Sequence, residues 1–307
     1  TLSMTVNPAP APITGVLTTC LDMTTILSDA TPGGTWSSGN PAVASVGSLS
    51  GIVTGVSPGS ATINYTLGSG CSASAVVTVN ASPLITGASS VCVGSSTALS
   101  SAGGGTWSSS MVSVATVGSS TGVVTGWSAG YPIITYMLPS GCFSIVTMAV
   151  DPLPAIIAGP SVVCVAATGT LTNASSGGIW SSGSSLVASV GSSSGLVLGV
   201  ATGSAAISYT LPTGCMRIVT LTVNGLPNVY SVTGGGSYCA GGAGVLIGLS
   251  GSNAGVTYQL YNSTAAVGSP VSGTGSAISF GLATMSGTYT VVATNSVTGC
   301  AANMSGS

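Results

Sequence analysis

Of 307 residues, one is cationic (Arg217) and three are anionic (Asp22, Asp29 and Asp151), and there is no Lys, Glu or His. Charged side chains therefore make up 1% of the chain, against about 25% in an ordinary soluble domain. This excludes nucleic-acid binding, which needs many Lys and Arg to displace phosphate counterions, and it leaves general acid–base catalysis without its usual groups.

The composition limits other classes too. Apolar residues reach 45% and mean hydropathy is +0.70, but no apolar run approaches the ~18 residues that a membrane span requires, so membrane insertion is not expected. Two Asp near the start of one repeat fall short of the six to eight oxygens calcium takes, and the cysteines are too widely spaced for a zinc cluster. No catalytic residue, cofactor site or metal site is expected.

In chain order, residues 1–8 read as a strand in which Leu2, Met4 and Val6 alternate with polar residues. The segment resembles the stretch ending Val223-Asn224 and is expected to complete another domain, in a preceding or a neighbouring copy. Three repeats of about seventy residues follow, at 9–80, 81–151 and 152–224. Each carries a Trp motif: Gly34-Thr35-Trp36-Ser37-Ser38, Gly105-Thr106-Trp107-Ser108-Ser109 and Gly178-Ile179-Trp180-Ser181-Ser182. Next come a Val-Ala-Ser/Thr-Val strand (43–46, 114–117, 187–190), a Gly-x-Val-x-Gly stretch (51–55, 122–126, 195–199) and an Ile-x-Tyr strand (63–65, 134–136, 207–209). A Gly-Cys turn and a last strand close each unit. Short β-branched runs between Gly, Pro, Ser and Asn predict an all-β fold of tandem Ig-like sandwiches. Pro-containing junctions at 80–83, 151–154 and 224–227 mark the boundaries.

The fourth unit, 225–307, lacks the Trp motif but keeps the alternation, as in Gly287-Thr288-Tyr289-Thr290-Val291-Val292. In the other units a strand runs from the second Cys to Asn or Asp nine residues on, whereas here the sequence stops seven residues after Cys300. Repeat 4 is expected to lack its last strand. Three explanations are open: the sequence is one period of a longer chain, separate subunits donate residues 1–6 into a neighbour's open edge, or the ends are a plain boundary.

Eight cysteines fall two per repeat: Cys20 and Cys71, Cys92 and Cys142, Cys164 and Cys215, Cys239 and Cys300. Pairing within each repeat predicts four intradomain disulfides and an extracellular, oxidising setting. A domain of ~70 residues buries only about 60% of its unfolded surface, so such staples would add needed stability. Trp36, Trp107 and Trp180 sit at equivalent places and are expected in the core. Trp127 and Tyr131 stand where sibling repeats have Val56 or Val200 and Ser60 or Ser204, which makes them candidates for an interface or a sugar platform.

Units one to three resemble the bacterial Ig-like domains of group 2. The resemblance rests on Val114-Ala115-Thr116-Val117, Gly122-Val123-Val124-Thr125-Gly126 and Ala61-Thr62-Ile63-Asn64-Tyr65. It implies surface adhesins, stalks and extracellular fibres, with no catalytic residues to carry over. The expected function is a structural subunit or repeating segment of an extracellular bacterial filament, self-associating head to tail. The alternative is an adhesin stalk or a module that binds host or cell-surface glycans.

Overall fold

The computed structural model describes residues 2–307; Thr1, the first residue of the expected donor strand, lies outside the described residues. Among the described residues the chain is built of 31 strands and no helix. It divides into two compact units, 1–152 and 153–307. Four separate cores line up along the sequence, two in each unit. They are centred on Trp36, Trp107, Trp180 and Tyr258.

Repeat 1 shows the common plan of two facing sheets. In one, the closing strand Ser72–Asn80 pairs antiparallel with Gly59–Thr66 and parallel with the opening strand Thr18–Cys20, and Thr35–Ser38 forms the far edge. The other holds Thr14–Gly15, Thr24–Ser28, Ile52–Gly55 and Ala44–Val46. The opening segment thus begins in one sheet and crosses to the other within a few residues. Repeats 2 and 3 follow the plan, with parallel pairs Ser90–Cys92 with Ala149–Asp151 and Val162–Cys164 with Met216–Asn224.

Each sequence motif has a packing cause. Trp36 and Tyr65 lie opposite each other in register, with ring centroids 4.8 Å apart and planes tilted by 50°, and both are buried. The Gly34 N–H donates to the Tyr65 hydroxyl (2.8 Å), which in turn donates to the Thr31 carbonyl (2.7 Å). A buried phenol needs such partners. Gly51 has φ +67, and a Cβ there would meet the Leu27 carbonyl oxygen at 2.3 Å and the Trp36 ring at 3.1 Å. Gly122 and Gly195 stand in the same relation to Trp107 and Trp180. The first glycine of the Gly-x-Val-x-Gly stretch is therefore the floor on which the indole lies.

Candidate inter-subunit interface

The disulfides differ from the expected pairing. Cys20 is bonded to Cys142 with Cα atoms 5.6 Å apart, and Cys164 to Cys300 at 5.7 Å. Cys92 and Cys215 are disulfide-bonded as well, while Cys71 and Cys239 are free thiols. None of the four intradomain pairs, Cys20 with Cys71, Cys92 with Cys142, Cys164 with Cys215 or Cys239 with Cys300, is formed. The reason lies in strand length. Cys20 sits in register with Asn80, the last residue of the closing strand, while Cys71 directly precedes its first residue, Ser72. Nine extended residues separate the two by roughly 30 Å, whereas a disulfide tolerates Cα atoms no more than about 7 Å apart. The first cysteine of a repeat therefore lies at the exit junction, where it meets the second cysteine of the following repeat.

Repeat 4 is also corrected, in part. It has a closing strand, but a short one: Ala301–Asn303 pairs with Tyr289–Asn295 only as far as Val292. Met304 then enters the core, and Ser305 forms a parallel bridge to Ser231. In repeats 1 to 3 the closing strand sends two more side chains inward, Val77 and Val79, Met148 and Val150, and Leu221 and Val223, all buried. Counted from the preceding cysteine, Gly306 occupies the place of Val77, Met148 and Leu221. It is exposed with φ +75.

The consequence is a groove of about 450 Å³, lined among others by Val232, Tyr238, Ile247, Gly287, Tyr289 and Ser307. Gly287 (φ +152) takes the place of Gly59 (φ +148) and Gly203 (φ +145), which lie opposite Val79 and Val223 in their repeats. Residues 235–239, which match the opening-strand segments ending in Cys20 and Cys164, form no strand. Among the described residues they have no closing-strand partner. The Tyr238 hydroxyl donates to the Thr284 carbonyl.

The segment 2–12 forms no strand, and Leu2, Met4 and Val6 are among the most exposed apolar side chains. Midway along it, the Asn7 carbonyl accepts from the Cys71 thiol of repeat 1 at 3.7 Å. Cys300 Sγ lies 3.9 Å from the Asn224 carbonyl in the same relation. Asn7 thus stands to repeat 1 as Asn224, the last residue of repeat 3, stands to repeat 4.

Trp127 and Tyr131 are 59% and 69% exposed. The Trp127 indole N–H donates to Thr116 Oγ1 (3.1 Å), and its backbone N–H bonds the Val114 carbonyl as Val56 bonds Val43 and Val200 bonds Val187. The aromatic change is therefore on the surface, not in the core. Arg217 donates its Nε–H to the Pro154 carbonyl (2.6 Å). Among the described residues no group of three His, Cys, Asp or Glu could hold a metal ion.

Residues 2–79 match the family model of the bacterial Ig-like domain (group 2), an interval that includes the exposed segment as well as repeat 1. No curated protein matches the chain. Among solved structures, the C-terminal 282-residue fragment of intimin, in complex with the intimin-binding domain of its translocated receptor, is 13% identical. It covers 48% of this chain and 67% of its own, with TM-score 0.34. Domains 4 and 5 of the S-layer protein SbsC are 21% identical over 47% of this chain and 99% of theirs, TM-score 0.24. The eight N-terminal Ig domains of Down syndrome cell adhesion molecule are 12% identical over 97% and 55%, TM-score 0.30. At these scores the likenesses say nothing of partners. Residues 2–79 are thus similar to the bacterial Ig-like domain of group 2, and the described residues form tandem Ig-like β-sandwiches.

Proposed function

We propose that the chain is a non-catalytic structural subunit of an extracellular bacterial filament, joined head to tail when residues 2–7 of one copy complete repeat 4 of its neighbour. The carrying observation is the match between what repeat 4 wants and what the exposed segment offers. With Asn7 aligned on Asn80, Asp151 and Asn224, Val6 falls on Val79, Val150 and Val223, and Met4 falls on Val77, Met148 and Leu221. Met4 and Val6 are the two inward side chains that Gly306 and the groove lack. Repeat 2 already uses Met at the first of these places. Main-chain pairing to the edge of Tyr289–Asn295 and to residues 237–239 would add the ladder bonds of strand addition, and with almost no charge near the groove there is little to desolvate. The disulfides fit an oxidising compartment outside the cytosol.

Removing residues 1–7 tests the reading. Negative-stain microscopy and light scattering of the intact protein are expected to show filaments, and of the shortened protein only monomers. Unchanged polymerisation of the shortened protein overturns strand donation.

A second reading, an adhesin stalk or glycan-binding module, rests on the exposure of Trp127 and Tyr131. Saturable binding on a glycan array that is lost in Trp127→Ala would favour it, and a blank array removes it.

A further inference from the structure

We infer that Cys239 of one copy and Cys71 of the next form an inter-subunit disulfide, so that the filament is covalently continuous. The inference rests on the head-to-tail reading above and goes beyond it by assigning a bond.

Two bonds in the chain obey one rule: the first cysteine of a repeat joins the second cysteine of the repeat that follows, Cys20 to Cys142 and Cys164 to Cys300. Cys92, a first cysteine, and Cys215, a second, are also oxidised. The two free thiols are the second cysteine of repeat 1 and the first of repeat 4. Cys71 thus wants a first cysteine from a repeat placed before repeat 1, and Cys239 wants a second cysteine from a repeat placed after repeat 4. Joining repeat 4 of one copy to repeat 1 of the next satisfies both at once.

The register puts the sulfurs together. In every complete repeat the first cysteine stands opposite the terminal Asn or Asp of the closing strand: Cys20 opposite Asn80, Cys92 opposite Asp151, Cys164 opposite Asn224. The next residue's N–H then binds that residue's carbonyl, as Leu21 does to Asn80 (3.0 Å) and Val165 to Asn224 (2.9 Å). A donated strand in this register sets Ser237, Tyr238 and Cys239 against Thr5, Val6 and Asn7. Asn7 already holds the Cys71 thiol at its carbonyl, as Asn224 lies beside Cys300, which is bonded to Cys164. Pairing of the strand therefore delivers Cys239 to Cys71.

The bond forms by two exchanges with a small-molecule disulfide such as glutathione disulfide. The exposed Cys239 thiol loses its proton and attacks one sulfur of that disulfide, breaking its S–S bond and releasing one thiolate. Cys71, deprotonated in turn, attacks Cys239 Sγ and displaces the second thiolate. Two protein thiols are oxidised by two electrons, and one disulfide is reduced to two thiols.

Filaments assembled with glutathione disulfide are run on denaturing gels without reductant. A ladder in multiples of 29.0 kDa, collapsing to monomer with dithiothreitol, is expected, and Cys71→Ser or Cys239→Ser alone is expected to give monomer only. Mixing the two variants should restore a band, and only at the dimer, because each then offers one compatible end. A peptide containing the Cys239–Cys71 linkage identifies the bond by mass spectrometry. Dimers of Cys71→Ser alone, or filaments visible by microscopy that dissolve to monomer in detergent without reductant, overturn the bond while leaving strand donation standing. Absence of filaments under all conditions overturns both.

Discussion

In repeat 3 the closing strand runs nine residues, Met216–Asn224, and buries Leu221 and Val223. In repeat 4 it runs three, Ala301–Asn303, buries Met304 and turns away at Gly306. Both repeats are built of two sheets, and both set a glycine of positive φ beside the closing strand, Gly203 (φ +145) and Gly287 (φ +152). Along the closing strand they differ in two inward side chains. At about 1.5–3 kcal/mol for each fully buried aliphatic chain, repeat 4 forgoes roughly 3–6 kcal/mol. A sandwich can hold its shape with the rest of its core and keep that increment for a strand from elsewhere.

Letting repeat 4 close on itself should have the greatest effect. A chain extended past Ser307 by a flexible linker and a second copy of residues 3–7 is expected to remain monomeric. Its least stable calorimetric transition should rise by more than about 5 °C. Continued polymerisation with an unchanged transition would mean the groove is not a strand site. Next in size, Leu221→Ala should destabilise unit 153–307 by about 2–5 kcal/mol in urea titrations. Met4→Ala should leave monomer unfolding unchanged and lower only the urea concentration at which filaments lacking the inter-subunit disulfide, as in Cys71→Ser, dissociate. Replacing both Cys20 and Cys142 by Ser should cost on the order of 2–5 kcal/mol, measured in the same way, whereas Cys71→Ser should leave the monomer's midpoint where it was. In repeat 3, Tyr209→Phe strips the Gly178 N–H of its acceptor and the Ser175 carbonyl of its donor. A loss of about 1–3 kcal/mol is expected; no loss would mean water satisfies both. Smallest of all, raising salt from low to high should leave filament yield the same, because screening acts on charges and the chain has four.

Much of this architecture was legible in residue order. The Trp, Tyr and glycine motifs recur because each repeat needs an indole laid on a bare backbone and a phenol tied to the turn before it, and those needs leave local marks. The alternation of Leu2, Met4 and Val6 was legible for the same reason. The cysteine pairing was not. Two cysteines per repeat suggest a staple, but whether they meet depends on which end of a nine-residue strand each occupies. That follows from a parallel pairing between segments some sixty residues apart. A signal was present: each second cysteine directly precedes the closing strand, so it sits at the end opposite the terminal Asn or Asp. The short closing strand of repeat 4 was not legible either, because its three residues and Met304 carry too little alternation to register as a strand.

The bond between Cys20 and Cys142 has a mechanical corollary. Tension entering at one of these residues and leaving at the other passes through two sulfur atoms and bypasses the 122 positions of backbone that separate them. Cys164 and Cys300 short-circuit 136 more. At about 3.4 Å per extended residue, each bond withholds about 400 Å or more of slack. A stretched molecule can release that length only after reduction, so the oxidised form behaves as a nearly inextensible tether and the reduced form as a long spring.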